Sequence, residues 1–321
     1  MKQDKGLLIH KEYDVRDWRF GGVSGIERTI LRGDGNWAAH RPKKENQHFT
    51  YFDTMGCVSF SALNCLEYMY DNKYRESLNF SDRFTAKMSG TTKAGNYFTH
   101  VGKSIQEDGL LYEDEYDFDG SREAKLEWDD YYQEIDTSLK GTAATRKEFF
   151  ETFYEWVNLD DLYKALQYSP IQIGIKYCSV SEAVNGIIPR KEGKANHAVT
   201  LEWIDDDGNF HIFDHYAGNE VKVLAPDYKI DFAMAHYINK KVTDKPMPII
   251  QIPNNTLVQN VEGDGSVGIA LDDKIMVDEL DKITATFILR NGGDIKGKIR
   301  PLKKAEWDSF PKMNIKKELI R

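Results

Sequence analysis

The sequence predicts an α+β chain: helices dominate its first half, antiparallel strands its second, and a small appendage follows. One observation is the run CVSFSALNCLEYMY at residues 57–70, apolar around most of a helical circumference and so expected to be buried on several sides. Another is residues 171–175 (IQIGI), which alternate strictly as a strand does. The third is residues 197–204 and 210–214, two strand-like runs about Asp205-Asp206-Asp207-Gly208-Asn209, which is strong turn material.

The remaining elements follow in order. A second helix is expected from an Asn96 cap through Phe98, Val101 and Ile105, stopping at Gly109. A third should cover residues 158–168, between the cap-like Asn158 and Pro170. In the hairpin, His197, Val199, Leu201 and Trp203 share one face, and pairing about the turn makes His197 and Asp214 cross-strand neighbours within about one pair. Pro246, Pro248 and Pro253 suit neither a helix nor a central strand. They mark a boundary between a domain of residues 1–245 and a C-terminal extension of residues 246–321. Within the extension, residues 278–290 carry acid at the start and base at the end, and Asn291-Gly292-Gly293 follows, the pattern of a capped helix. Trp307 and Phe310 are expected on a short helix before Pro311.

Composition narrows the function. The 321 residues are 40% apolar, enough for a substantial core and against wholesale disorder. A formal charge of −9 argues against a general nucleic-acid binder. The charge is uneven: residues 111–161 hold 16 acidic and 5 basic residues, and residues 290–321 hold 10 basic and 4 acidic. Each is first a solvated face, although the basic tail is also a candidate surface for an acidic protein partner or for the acidic middle. Neither a signal-peptide core nor a membrane-length apolar run is visible. The three cysteines, Cys57, Cys65 and Cys178, do not make a disulfide framework. The expectation is a soluble chain in a reducing compartment, cytoplasmic or virion-associated. No metal-ligand spacing and no nucleotide-binding glycine loop occurs, so no cofactor is expected.

Cys57 follows Gly56 where the buried helix begins, and a helix N-terminus lowers a thiol pKa from about 8.5 toward neutrality. Thiol chemistry needs a nucleophile, a base that can later protonate the leaving group, and a group that orients the base. Cys57, His197 and Asp214 supply these three, the last two on one hairpin; the plain alternative is that Cys57 is a buried structural thiol.

These residues bring a family into view. Met55-Gly56-Cys57-Val58-Ser59-Phe60-Ser61-Ala62 and Asn196-His197-Ala198-Val199 resemble the nucleophile and base motifs of the papain-like cysteine peptidases. Asp14-Val15-Arg16-Asp17-Trp18-Arg19 is similar to the start of that family's mature domain. Residues 110–118 and Asn185-Gly186-Ile187-Ile188 are similar to two further runs in the same order. The resemblance spans residues 13–237. It implies a two-subdomain fold, with a helical half around a buried central helix and a half built on an antiparallel sheet. It also implies cleavage of polypeptide substrates at Cys57.

The chain departs from the family at several points. Val58 stands where the family has Trp. Asp214 stands where it has Asn, and a carboxylate would hold an imidazolium more strongly; Tyr216 would replace the Trp that shields this bond. The family's oxyanion-hole Gln lies six residues before the nucleophile, where this chain has Tyr51. Glu45-Asn46-Gln47 resembles the family's Lys-Asn-Gln ending, so Gln47 takes the role, with an ordinary surface glutamine or service by Asn64 as alternatives. Gly95-Asn96 falls where the family pairs with the substrate backbone, or is a plain helix-start turn. Cys65 and Cys178 are expected in the core, and His211 and His215 in structural or exposed roles. Only about a dozen residues precede Asp14, so an inhibitory propeptide is not expected and control should come from elsewhere, with the C-terminal segment as candidate. The missing disulfide cysteines make the chain similar to intracellular or virus-encoded, bacteriophage-type relatives. Two other readings stay open: a papain-like module kept for structure or binding with weak or no catalysis, for example in a phage particle, and an acyl transferase of transglutaminase or amidase type.

Overall fold

The apolar run that starts at Cys57 forms helix α1, Cys57–Tyr74, capped by Gly56 and ended by Arg75 in the left-handed region. Every residue from Cys57 to Tyr70 is buried, including Ser59, Ser61, Asn64 and Glu67. The structure is a computed structural model. It describes residues 5–9, 19–21, 29–43, 45–49, 52–116, 127–216, 220–241, 249–251, 257–260, 267–270, 274–278, 282–289 and 294–301. Residues 14–18, Tyr51, residues 117–118, Ala217, Pro246, Pro248, Pro253, Asn291-Gly292-Gly293, Trp307, Phe310 and Pro311, named above, lie outside these. Two compact units divide the chain, Met1–Lys241 and Val242–Arg321.

In the first unit, α1 is followed by α2 (Asp82–Met88), α3 (Phe98–Glu107), α4 (Trp128–Tyr131) and α5 (Thr137–Arg146). Strand β1 (Phe150–Trp156) and the short helix α6 (Leu162–Leu166) come next. They precede β2 (Ile171–Ile175), β3 (His197–Ile204), β4 (Phe210–Asp214), β5 (Glu220–Leu224) and β6 (Ile230–Lys240). All strand pairs are antiparallel, in the order β1-β6-β2-β3-β4-β5. The helical first part and antiparallel second part are the expected α+β arrangement. The helix expected over residues 158–168 is shorter, a 3-10 turn at Leu159–Asp161 leading into α6.

Hydrogen bonds seat α1 on the sheet. Gln172 of β2 donates to the Val58 carbonyl and the Ser61 hydroxyl, each at 2.8 Å. Thr200 of β3 donates to the Ser61 carbonyl at 3.2 Å. Such bonds satisfy polar groups whose burial would otherwise cost about 1–3 kcal/mol each. Strand β2 alternates in sequence, yet all five of its residues are buried, because it is a central strand.

A bulge in the β3–β4 hairpin sets which side chains meet. Ile204 pairs with Phe210 and Trp203 with His211, but Leu201 then pairs with Ile212, leaving Glu202 as the extra residue. An unbroken register would set Asp214 opposite Thr200, on the face turned away from His197. The shifted register carries it opposite Val199, on His197's own face. Glu202 is gripped in place: Arg41 donates to it twice, at 2.9 and 3.0 Å, and Tyr68 of α1 once, at 2.6 Å.

The second unit is a sheet of β7 (Ile249–Gln251), β8 (Leu257–Asn260), β9 (Val267–Ala270), β10 (Lys274–Asp278), β11 (Lys282–Leu289) and β12 (Asp294–Pro301). Its order is β12-β8-β9-β11-β10-β7, and β12 also pairs with β11, which closes four strands into a ring. The helix expected over residues 278–290 is corrected where these residues are described: Asp278 ends β10 and Lys282–Leu289 form β11. Ile283-Thr284-Ala285-Thr286-Phe287-Ile288 is rich in β-branched and aromatic residues, and β11 pairs antiparallel with β12. No described helix is long and apolar enough to cross a membrane.

The grip on Glu202 predicts an asymmetry. Its side chain is fully buried while that of Arg41 is 34% exposed. Arg41→Met strands a buried carboxylate and should cost about 3 kcal/mol or more, whereas Glu202→Gln leaves an arginine that can reach water and should cost less. Urea denaturation of both variants measures the order; equal losses would contradict it.

Candidate active site

The N-terminus of α1, the start of β3 and the end of β4 converge. Cys57 is fully buried, and the backbone amide of Ala198, the residue after His197, faces its sulfur. His197 Nε2 lies 2.8 Å from Asp214 Oδ1, both side chains being buried. His197 Nδ1 is buried with no hydrogen-bond partner, so it is the ring nitrogen left to exchange a proton with the thiol. The structure therefore brings Cys57, His197 and Asp214 to one place.

Asp214 is held from several sides. The Tyr216 amide donates to Oδ1 at 2.9 Å, and the Lys222 ammonium donates to Oδ2 at 2.6 Å. Burial alone would raise its pKa, but His197 and Lys222 beside it outweigh burial and hold the carboxyl well below its ordinary range. For Cys57 the balance differs from the sequence expectation. Burial pushes the thiol up, Asp53 and Asp214 add to this, and the Ala198 amide opposes it without prevailing. Burial and the two carboxylates thus oppose the ionisation that a helix N-terminus favours. A cation must form beside it, and an imidazolium at His197 is the candidate.

Gln47 lies close by. Its amide donates to the His215 carbonyl at 3.2 Å and its carbonyl accepts from Thr54 at 3.1 Å. Its side chain is fully buried, and neither Oε1 nor Nε2 has a partner. The other oxyanion candidate, Asn64, is engaged: it donates to His215 Nδ1 at 3.1 Å. His215 stacks on Phe60 with centroids 4.9 Å apart. Burial drives its pKa down to about 3, with Asp214 opposing, so it is a neutral packing group. His211 stacks on Trp203 at 4.0 Å and pairs with Asp205. Cys65 and Cys178 are buried free thiols.

Tyr216 presents its ring edge-on to His197, centroids 5.7 Å apart, and Tyr177 does the same at 5.4 Å. Gly95 and Asn96 are occupied by the chain itself. Asn96 donates to the Gly6 carbonyl and accepts from the Leu8 amide, both at 2.9 Å, in a parallel bridge. Lys5 donates its backbone amide to the Asn196 carbonyl at 3.1 Å. Its ammonium donates to the Tyr216 hydroxyl and lies over the rings of Tyr216 and Tyr177. Gly6 rests against the Met55 carbonyl. Residues 5–9 thus run from the neighbour of His197, past Met55, to Asn96. They therefore lie beside the site.

Sequence reasoning missed Lys5, Tyr177 and Lys222. For Lys222 a signal existed: in Val221-Lys222-Val223-Leu224 the lysine shares the parity of Leu224, and both are buried. Among the described residues no group of three or more His, Cys, Asp or Glu could hold a metal ion.

No protein-family model and no curated protein matches the sequence. Among solved structures, that of xylellain, a cysteine protease from Xylella fastidiosa, matches with a TM-score of 0.50 and 16% identity, over 75% of this chain and 97% of that one. The bromelain protease from Ananas comosus, in complex with the E64 inhibitor, matches with a TM-score of 0.44 and 15% identity, over 65% of this chain and 98% of that one. The first likeness shows that the chain has the papain-like fold.

The seating of residues 5–9 is testable. Gly6 has φ +102°, and a Cβ there would meet the Met55 carbonyl oxygen at 2.3 Å. Left-handed strain of about 1–2 kcal/mol in Gly6→Ala corresponds to about tenfold more opening. Iodoacetamide should therefore modify Cys57 about tenfold faster in Gly6→Ala, with the adduct mapped by mass spectrometry; an unchanged rate would mean that the segment does not limit access.

Proposed function

We propose that the chain is a thiol-dependent hydrolase of the papain type, cleaving peptide or isopeptide bonds through a Cys57 acyl-enzyme. The observation that carries this is the buried His197–Asp214 pair beside a thiol at a helix N-terminus, with His197 Nδ1 and the whole Gln47 amide unpartnered. Buried polar atoms without partners are rare in folded proteins and are common where a ligand completes them.

In this mechanism His197 takes the Cys57 proton through Nδ1 and becomes an imidazolium held by Asp214. The thiolate adds to the scissile carbonyl, and Gln47 Nε2 donates to the oxygen as it becomes negative. Collapse of the tetrahedral species breaks the C–N bond, and the imidazolium protonates the leaving amine. Water then enters, His197 removes its proton, and the acyl group leaves as a carboxylic acid while the thiol is restored. Tyr216 shields the His197–Asp214 bond. Gly95 and Asn96 hold substrate backbone once residues 5–9 have moved away. Residues 1–245 form the peptidase domain in this reading, and residues 246–321 an extension that offers a protein-binding surface. Three buried free thiols suit a reducing compartment.

The closed cleft favours one other reading, a papain-like module kept for binding with its chemistry silent. An epoxide-type thiol inhibitor separates the two. On the hydrolase reading it labels Cys57 alone, and His197→Ala abolishes the label. Gln47→Ala should keep the label and lose about two to three orders of magnitude in peptide turnover. Equal labelling of all three cysteines, or none, would overturn the hydrolase.

A further inference from the structure

We propose that Lys222 is a positioning residue of this site: its ammonium cancels the charge of Asp214, so that the two together serve His197 as a neutral orienting group. The inference rests on the hydrolase reading and extends it.

The geometry is built into three adjacent strands. Asp214 pairs directly with Glu220 of β5, and Lys222, two residues on, stands diagonal to it on the same face. His197 stands diagonal to it on the other side, on β3. The carboxylate is therefore divided: Oδ1 takes His197 and the Tyr216 amide, and Oδ2 takes Lys222. The lysine also donates to the Cys178 carbonyl at 2.9 Å and lies over the Tyr177 ring, its side chain fully buried. Burial disfavours its charge, yet Asp214 outweighs burial and keeps the ammonium more firmly protonated than usual.

A buried lysine is expensive, since both its charge and its rotamers are restricted. Neutralisation gives it a purpose. Against the thiolate–imidazolium form of Cys57 and His197, a bare carboxylate has two harmful effects. It repels the thiolate, and it holds the imidazolium so firmly that protonation of the leaving amine becomes harder. An amide at position 214 would orient the ring without either effect. Asp214 paired with Lys222 carries no net charge and still accepts the bond from Nε2. The other groups facing the cluster are Lys5 and Asp53, opposite in charge, Glu182 and Lys191, which pair with each other, and the uncharged His215, Tyr177, Tyr216, Tyr228 and Cys178. Only Lys222 contacts the carboxylate among the described cations.

The test is the pH profile of Cys57 alkylation by iodoacetamide, followed by mass spectrometry in the full chain. Lys5 faces Asp214, so opening of residues 5–9 responds to the same charges; every profile, the reference included, is therefore read in a Lys5→Met background, and the readout needs no peptide turnover. Failure of the hydrolase reading would appear in the epoxide experiment, and failure of this inference here. Lys222→Met exposes the carboxylate charge and should move both limbs of the profile to higher pH by about one unit or more. Lys222→Met with Asp214→Asn removes both charges and should return the limbs to the reference positions, whatever the absolute rate. A merely structural lysine would lower the rate without moving the limbs. Unmoved limbs in Lys222→Met, or equal displacement in the double variant, would overturn the proposal. If Lys222→Met fails to fold, as judged by circular dichroism, the double variant decides alone: limbs at the reference positions support the proposal, and displaced limbs or a second failure to fold overturn it.

Discussion

Side chains on a strand alternate between two faces, and this parity decides whether a histidine and a carboxylate on one hairpin can touch. A single extra residue in β3 reverses the parity of everything beyond it. In this fold the extra residue is Glu202, and it is not free to slip along the strand. Arg41 and Tyr68 hold its carboxylate, and Tyr68 belongs to the helix whose first residue is Cys57. One rigid element therefore carries the nucleophile at its start and, about three turns later, fixes the bulge that aligns base and orienter.

The same economy explains why α1 is so polar for a buried helix. Ser59, Ser61, Asn64 and Glu67 are all enclosed, and an apolar replacement of similar volume would pack at least as well. Ser59 Oγ has no partner, but the bonds of Ser61, Asn64 and Glu67 give direction. Ser61 accepts from Gln172, Gln172 also binds His236 at 2.8 Å, and Glu67 accepts from the Phe80 amide at 2.7 Å. A helix held only by apolar contact could rotate or slide with little penalty, and Cys57 would move with it. Directional bonds convert general burial into a defined position for the sulfur. The free Nδ1 of His197, the idle amide of Gln47 and the unpartnered Nε2 of His215 lie together beside Cys57, so bonding capacity is held back at this site.

Much of this could be read from the sequence, and the reasons are local. The run from Cys57 is apolar enough to declare a buried helix, and Asp205 to Asn209 declares a turn. What failed did so where tertiary context overrides local pattern. Residues 278–290 have the charges of a capped helix, but the β-branched residues within them belong to a strand. The bulge at Glu202 leaves no trace that composition or alternation would reveal. Lys222 was visible as a charge at an inward position, but its partner was not. The helix N-terminus at Cys57 was correctly located, while the carboxylates that join burial in pushing its thiol up, Asp53 and Asp214, come from elsewhere in the chain.

The N-terminal residues add a competition. Asn96 offers a backbone amide and carbonyl, and Gly6 and Leu8 already use them, while both backbone groups of Gly95 are bonded to Thr92. A tethered segment acts at an effective concentration of about the millimolar range, so a free peptide offering similar backbone bonds displaces it poorly unless its side chains contribute more. The closed form carries its own counterweight in Lys5: burial pushes its pKa down, and Asp53 and Asp214 only partly oppose this. An ammonium drawn from water into contact with two tyrosine rings keeps some cation–π attraction and loses most of its hydration. The segment is thus held by backbone bonds and resisted by one side chain.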